Sequence, residues 1–351
     1  MKVKVSVICK TDFPIYSLEY YINNQKEQLL LGGGGGSGPT GVPNKLALLN
    51  LDPSAKDPLK DICVGDKAVM NLCLHPSREL VICGLDAFSK VYKLPSLEET
   101  GKVFKTVNDN HNYQKVIKFD LGGDFLFTGG TDGYLKIWKY PDFVLCKKYD
   151  FQFEINDMSI QRGGAAVACT CKDGSLRVAK LKPAESCEPL VLTFYNKNEK
   201  FSILSCSYYG ALLYAVASNF RTGFFVLVYD AAGYRMLFQR CLGSELPIKL
   251  CLSPCGNYMA LGTTEGEVLI IDNKNLKKVA KSKAHSWFVS SLAWNEDSTT
   301  VFSGGGDSAV CKTKLLHCSL DCHKFILLLS LIVTALAVWL QFFRNFFFKY
   351  E

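Results

Sequence analysis

KVIKFDLGGDFLFTGGTDGYLKIWKY, residues Lys115–Tyr140, decides the fold. It reads as an apolar strand, a short polar turn, a second apolar strand ending in small residues, a turn with Asp and Gly, and a third strand. The unit recurs at Met70–Leu94, Asn156–Leu181, Ile203–Asp230, Ile248–Asp272 and Ser290–Leu315. The small residues after each second strand fall at Gly84, Gly129, Thr170, Ala217, Gly262 and Gly304, spaced by 45, 41, 47, 45 and 42 residues. That period suits a four-stranded propeller blade, and the β-rich alternation excludes helical repeats. A first copy at Ile15–Gly35 lies 52 residues before the second, the excess being a glycine-rich segment. Seven copies close a ring. Val3–Cys9 (VKVSVIC) alternates as a strand and is left over to complete the outer edge of the last blade, removing an exposed edge.

The inserted segment is Gly32–Asn44, GGGGGSGPTGVPN, between strand-like runs at Glu27–Leu31 and Leu46–Leu51. Five consecutive glycines lose the most entropy on ordering, an odd choice for a connector inside a strand pair. Such a backbone can wrap its carbonyls or amides round an ion or a partner, which favours a working loop over a flexible linker. Gly33–Thr40 nearly spells a phosphate-binding loop, but Pro39 stands where the lysine must be. The segment also runs into a strand where a helix N-terminus is required, so nucleotide binding is rejected. Gly129–Gly133 and Gly304–Gly306 read as blade turns. Lys277, Lys278, Lys281 and Lys283 read as a solvated connector.

Across 351 residues, 48% are hydrophobic and 21% charged, which excludes a disordered chain. The net charge of +7 suits an anionic membrane face, and no dense Lys/Arg cluster supports nucleic-acid binding. The 15 cysteines are an odd count without regular pairing. Most sit singly in apolar runs (Cys73, Cys83, Cys169, Cys251), which reads as reduced, buried thiols in a cytosolic domain.

Phe325–Phe343 (FILLLSLIVTALAVWLQFF) is 19 uncharged residues between Lys324 and Arg344. As a helix it extends about 28 Å, enough to span a thin bilayer such as the endoplasmic reticulum's. The expected organisation is a propeller over 1–315, a spacer at 316–324, a transmembrane helix at 325–343 and a luminal tail at 344–351. No secretory signal opens the chain, which leaves the propeller in the cytosol. The spacer's His317–His323 (HCSLDCH) reads as a plain connector, a palmitoylation site at Cys318 or Cys322, or a zinc ligand set.

The blades resemble the WD-repeat family, although no Trp-Asp pair is present. His285 in AHSWFVSSLAW matches the histidine that opens a repeat, and Asp307 in GGGDSA the turn aspartate it pairs with. With Ser286 these two could suggest a hydrolytic trio; a hydrogen bond holding a turn is the favoured reading. His75 precedes Pro76 in a blade turn, and His111 lies in a polar loop.

Phe13–Tyr16 (FPIY), the poly-Gly loop ending Thr40-Gly41-x-x-Asn44 and one C-terminal span together resemble a single family. It is that of the endoplasmic-reticulum guanine-nucleotide exchange factors for the Sar-type small GTPase, the prolactin regulatory element-binding protein family. The resemblance implies a seven-bladed WD-type propeller with one C-terminal transmembrane helix that starts COPII coat assembly for transport to the Golgi, without covalent chemistry of its own. It also implies that the loop presses on the GTPase's nucleotide site, through Gly32, Gly33, Gly34, Gly35, Gly36, Thr40, Gly41, Val42, Pro43 and Asn44. Asn44, with Val42 and Pro43, would form the tip and its brace. Carbonyls of Gly33, Gly34, Gly35 and Gly36 would hold a potassium ion. Relatives commonly carry a lysine where this chain has Pro39, which removes a charge but leaves the carbonyls. The rival reading is a membrane-tethered scaffold without exchange activity.

Overall fold

A computed structural model describes residues 2–52, 54–55, 57–109, 111–181 and 188–316. Residues Val3–Lys314 make one unit of seven antiparallel sheets arranged as a propeller. Blade 1 runs outward from Ile15–Asn23 through Lys26–Gly33 and Lys45–Asn50 to Leu59–Cys63. Blades 2, 3, 4 and 6 repeat this order from inner strands Asn71–Leu74, Gln114–Phe119, Ile155–Ile160 and Pro247–Leu252. Blade 7 takes three strands from Val289–Leu316, and its outermost strand is Lys2–Lys10, so the leftover N-terminal strand closes the ring as the alternation predicts.

Each small residue singled out by the repeat lies next to last in the second strand of its blade. Gly32 is blade 1's counterpart, paired with Ser17 beside a bulge as Gly129 is with Val116. The reason is interblade packing. A Cβ on Gly129 would stand 2.8 Å from Ile155 Cγ2, one on Gly262 2.7 Å from Val289 Cγ1, and one on Gly32 2.5 Å from Val69 Cγ1. The β-branched side chain that opens the next blade occupies the space a methyl would need. Between blades, apolar clusters such as Phe13, Ile15, Leu29, Leu31, Ala293 and Phe302 are almost wholly buried.

Towards the axis, side chains of one inner strand hold the backbone of the next. Leu18 N–H donates to Ser291 Oγ at 2.9 Å, Leu72 N–H to Ser17 Oγ at 3.1 Å, Tyr208 N–H to Ser159 Oγ at 2.9 Å and Leu250 N–H to Ser205 Oγ at 3.2 Å. These bonds cross blade boundaries, so they link sheets that share no ladder.

Two elements differ from the sequence reading. Lys277–Lys283 is the outer strand of blade 6, not a connector; Lys278 and Lys281 pair with Glu245 at 2.5 and 3.2 Å. The strand carries no clean alternation, since Val279 and Ala280 are adjacent at a register shift, and its lysines are what native edges use to discourage pairing. Blade 5 has five strands, because Phe194–Asn196 hairpins onto the inner strand Glu199–Tyr209. All twelve described cysteines are free; Cys73, Cys83 and Cys169 are buried as expected, whereas Cys251 is half-buried. Burial pushes the Cys73 thiol up to about 12.

The apolar segment 325–343, the cysteines and histidines of the spacer and the tail lie outside the described residues. Among the described residues no helix is long and apolar enough to cross a membrane.

Candidate functional site: the glycine-rich loop of blade 1

The loop leaves blade 1 after Gly33 and re-enters it at Lys45. Gly32 and Gly33 therefore belong to the strand, facing Leu46 and Lys45 across the ladder. The loop itself is residues 34–44, shorter by two than the sequence stretch.

Its base is set in the core. Gly34 N–H donates to Pro14 O at 3.2 Å, and Val69 N–H donates to Gly33 O at 3.3 Å. Phe13 and Ile15, flanking Pro14, are wholly buried, so this support is rigid. Val42 packs onto the same apolar cluster. Lys45 closes the base from outside, its ammonium 2.8 Å from Asp12 and 3.0 Å from Asp61. Hydrogen bonds to these two carboxylates raise the Lys45 pKa above its ordinary value.

Asn44 is the brace. Only 7% exposed, it accepts from Gly36 N–H at Oδ1 (2.8 Å) and donates from Nδ2 to Gly36 O and Gly65 O, both at 3.1 Å. One side chain thus ties the outgoing limb of the loop to the next interblade loop. The backbone carbonyl of Asn44 accepts from Val64 N–H at 3.0 Å, which fixes the residue itself. The tip is Ser37–Gly41, all exposed, so Asn44 lies below the apex it was expected to form.

The limbs touch where the glycines stand. A Cβ on Gly35 would meet Val42 Cβ at 2.8 Å and overlap Thr40 Oγ1, and one on Gly34 would come 2.6 Å from Asn44 Cα. Gly36 has a φ of +78°, a conformation that side chains disfavour. The row of glycines therefore serves close packing of a folded loop, not slackness. Thr40 completes the turn at the apex, its hydroxyl accepting from Val42 N–H at 3.3 Å. Between this loop and residues Cys63, Gly65, Asp66 and Lys67 opens a groove of about 650 Å³.

Of the four carbonyls expected to hold potassium, Gly33 O and Gly36 O each already accept one hydrogen bond. Among the described residues, Gly34 O and Gly35 O accept none. A set of neutral carbonyl oxygens is the donor type that suits a singly charged alkali cation. No group of three or more His, Cys, Asp or Glu that could hold a metal occurs among the described residues.

Sequence reasoning quoted FPIY but gave it no role at the loop; Pro14 O and the buried Phe13 are its footing. Gly65, Asp12 and Asp61 carry no signal in the sequence, because only tertiary structure brings them to the loop.

The other chemistry-bearing residues are structural. His285 Nδ1 is 2.9 Å from Asp307 Oδ1, and its Nε2 2.8 Å from Ser303 Oγ, with the ring buried. Ser286 contacts Asp307, not the imidazole, so no nucleophile–base pair exists there. Blades 3 and 4 replace this tether by Lys136–Asp132 at 2.8 Å and Arg177–Asp173 at 3.0 Å. His75 is likewise engaged, with Ser77 at 2.8 Å and Gly123 O at 3.1 Å.

Seven radial four-to-five-stranded sheets with an aspartate-tethered turn define a WD-repeat β-propeller. Consistently, residues 104–139 and 276–311 match the model for the WD domain, G-beta repeat. The chain is 24% identical to SEC12-like protein 2 of Arabidopsis thaliana over 77% of its own length and 72% of that protein's. It is 27% identical to SEC12-like protein 1 of the same plant, covering 68% of this chain and 60% of that one. With the mouse guanine nucleotide-exchange factor SEC12 it shares 25% identity over 53% of this chain and 48% of that one. The chain is thus similar to SEC12-like proteins and carries WD repeats.

Proposed function

We propose that this protein is a guanine-nucleotide exchange factor for a Sar-type small GTPase at the endoplasmic-reticulum membrane, and that loop 34–44 is the element that opens the nucleotide site. Similarity to SEC12-like proteins supports the class of activity, one of them being named a guanine nucleotide-exchange factor. The observation that carries the loop assignment is the Asn44 brace, which holds an exposed apex above a buried base.

Exchange needs no covalent step. A partner that binds the nucleotide-free GTPase better than the loaded form lowers the barrier to GDP release. A loop ordered before the encounter leaves more of its binding energy for that work. Ser37–Gly41 would make the contact; Asn44, Val42 and Pro14 O would keep the apex in place under load.

Neutral carbonyl oxygens of Gly33, Gly34, Gly35 and Gly36 are the groups that would hold a potassium ion in this loop. When bound, it would supply electrostatic cross-linking of the two limbs. The protein's own residues provide the remaining stiffness.

The test is release of a fluorescent GDP analogue from a Sar-type GTPase with and without the full chain, in potassium and in an equal concentration of lithium. We expect release to accelerate, and more so in potassium. Equal rates with and without the chain would leave a tethered scaffold as the reading. Acceleration indifferent to the cation would retire the ion alone.

A further inference from the structure

Six of the seven outermost strands are protected. Lys2–Lys10, Leu59–Cys63, Glu99–Lys105, Val144–Asp150 and Lys277–Lys283 carry lysine, and Leu190–Leu192 is three residues long. The outer strand of blade 5, Met236–Gly243 (MLFQRCLG), has neither device, only register shifts at Leu237 and Leu242 that leave Phe238–Cys241 in regular pairing. It runs for eight residues with one charge, and exposes Met236 (39%), Leu237 (46%) and Phe238 (65%). Among the described residues no strand pairs on its outer side. A long, apolar, uncovered edge is what sheets normally avoid, because its free N–H and C=O groups template another strand.

Beside this edge, between blades 5 and 6, lies a groove of about 660 Å³. Its walls are apolar (Leu212, Val228, Leu276, Phe238) and its cations are Arg240 and Lys274, with no carboxylate in the lining. Arg240 is held in place by a 2.8 Å bond to Asn275 O. In the same lining, Asn273 Oδ1 is shut off from solvent yet accepts no hydrogen bond among the described residues.

We propose that Met236–Gly243 is a docking edge for an extended, acidic and apolar peptide segment of a partner protein. The segment adds as a further strand to blade 5, presenting on one face an apolar side chain to Phe238 and, two residues along, a carboxylate to Arg240 and Lys274. A second copy of this chain fits worse, since two such edges would bring Arg240 and Lys274 of both copies together. The edge is on blade 5 and the glycine loop on blade 1, so this inference stands apart from the exchange reading.

The experiment uses the full chain and a fluorescein-labelled peptide repeating valine–threonine–glutamate–threonine, which sets valine and glutamate on one face, with a peptide carrying lysine in place of glutamate as control, read by anisotropy. Wild type should bind the glutamate peptide at least tenfold better than the lysine peptide. Phe238→Lys should weaken binding tenfold or more, and Arg240→Glu should reverse the preference. Amides of Met236–Leu242 should exchange more slowly with peptide bound. Both substitutions are at exposed positions, and circular dichroism checks that the variants fold. The proposal is overturned by no binding of the glutamate peptide up to about 1 mM, by equal binding of the two peptides, or by Phe238→Lys binding as wild type. A dimer in sedimentation that Phe238→Lys dissolves would also overturn it, by giving the edge to a second copy.

Discussion

Replacing Asn44 by alanine removes three hydrogen bonds at once, to Gly36 N–H, Gly36 O and Gly65 O, from a nearly buried site. At about 0.5–1.5 kcal/mol net each, the loss is about 1.5–4.5 kcal/mol, and water reaching half-buried Gly36 recovers part of it. A working figure of about 2 kcal/mol shifts the balance between braced and open loop by about thirtyfold. The structural damage is local, because the base on Pro14 and the blade ladder are untouched, and in a unit as large as Val3–Lys314 the melting temperature should fall by only about 3 °C. Amide hydrogen exchange is the direct assay: protection at Gly36 and its neighbours should fall by about the same thirtyfold, and GDP release should slow by tenfold or more. Asn44→Asp sharpens the test. It keeps the acceptor for Gly36 N–H but sets a carboxylate oxygen against Gly36 O and Gly65 O, at positions now 3.1 Å from the donor nitrogen. It should harm the loop at least as much as alanine despite its shape. Wild-type protection in either variant would refute the bracing argument.

Gly35→Ala puts a methyl 2.8 Å from Val42 Cβ and over Thr40 Oγ1. It should slow exchange tenfold or more without unfolding the propeller, and Thr40→Ala in the same chain should restore only part, as measured by GDP release. Gly129→Ala, whose methyl would stand 2.8 Å from Ile155 Cγ2, should cost about 1–3 kcal/mol by urea unfolding and leave the loop's hydrogen exchange alone. At Asp307, burial opposes ionisation, but the His285 hydrogen bond and the Ser286 amide outweigh it and hold the carboxyl below its ordinary value. A depressed folded pKa stabilises above the unfolded value near 3.8 and loses that contribution as pH falls through the lower folded value. Asp307→Asn should therefore reduce stability at pH 7 and flatten its decline below about pH 4, in urea titrations across pH.

How far the sequence revealed this molecule depends on whether the cause was local. The small residue near each second strand's end was readable because a single packing rule repeats it, from Gly32 to Gly304. The closing strand Lys2–Lys10 was readable from alternation and from a missing partner. The lysines of Lys277–Lys283 hid a strand, since edge protection and solvated coil share a composition. At the loop, the glycines announced an ordered turn, and their true end at Gly33 followed from register, which composition does not encode. Asn44 was singled out by resemblance, but its role came from partners 8 and 21 residues away. Lys45's two carboxylates, 33 and 16 residues away, were beyond any local pattern.

The seam of blade 7 has a consequence for biosynthesis. Lys2–Lys10 leaves the ribosome well before its neighbour Ala309–Leu316, which follows roughly 300 residues later, a wait of about 15–60 s at ordinary elongation speeds of about 5–20 residues per second. Throughout that interval a valine-rich segment has no mate, and its alternating lysines are what keep it from finding a wrong one. Substituting Lys2 and Lys4 by threonine would thus tax the nascent chain far more than the finished ring.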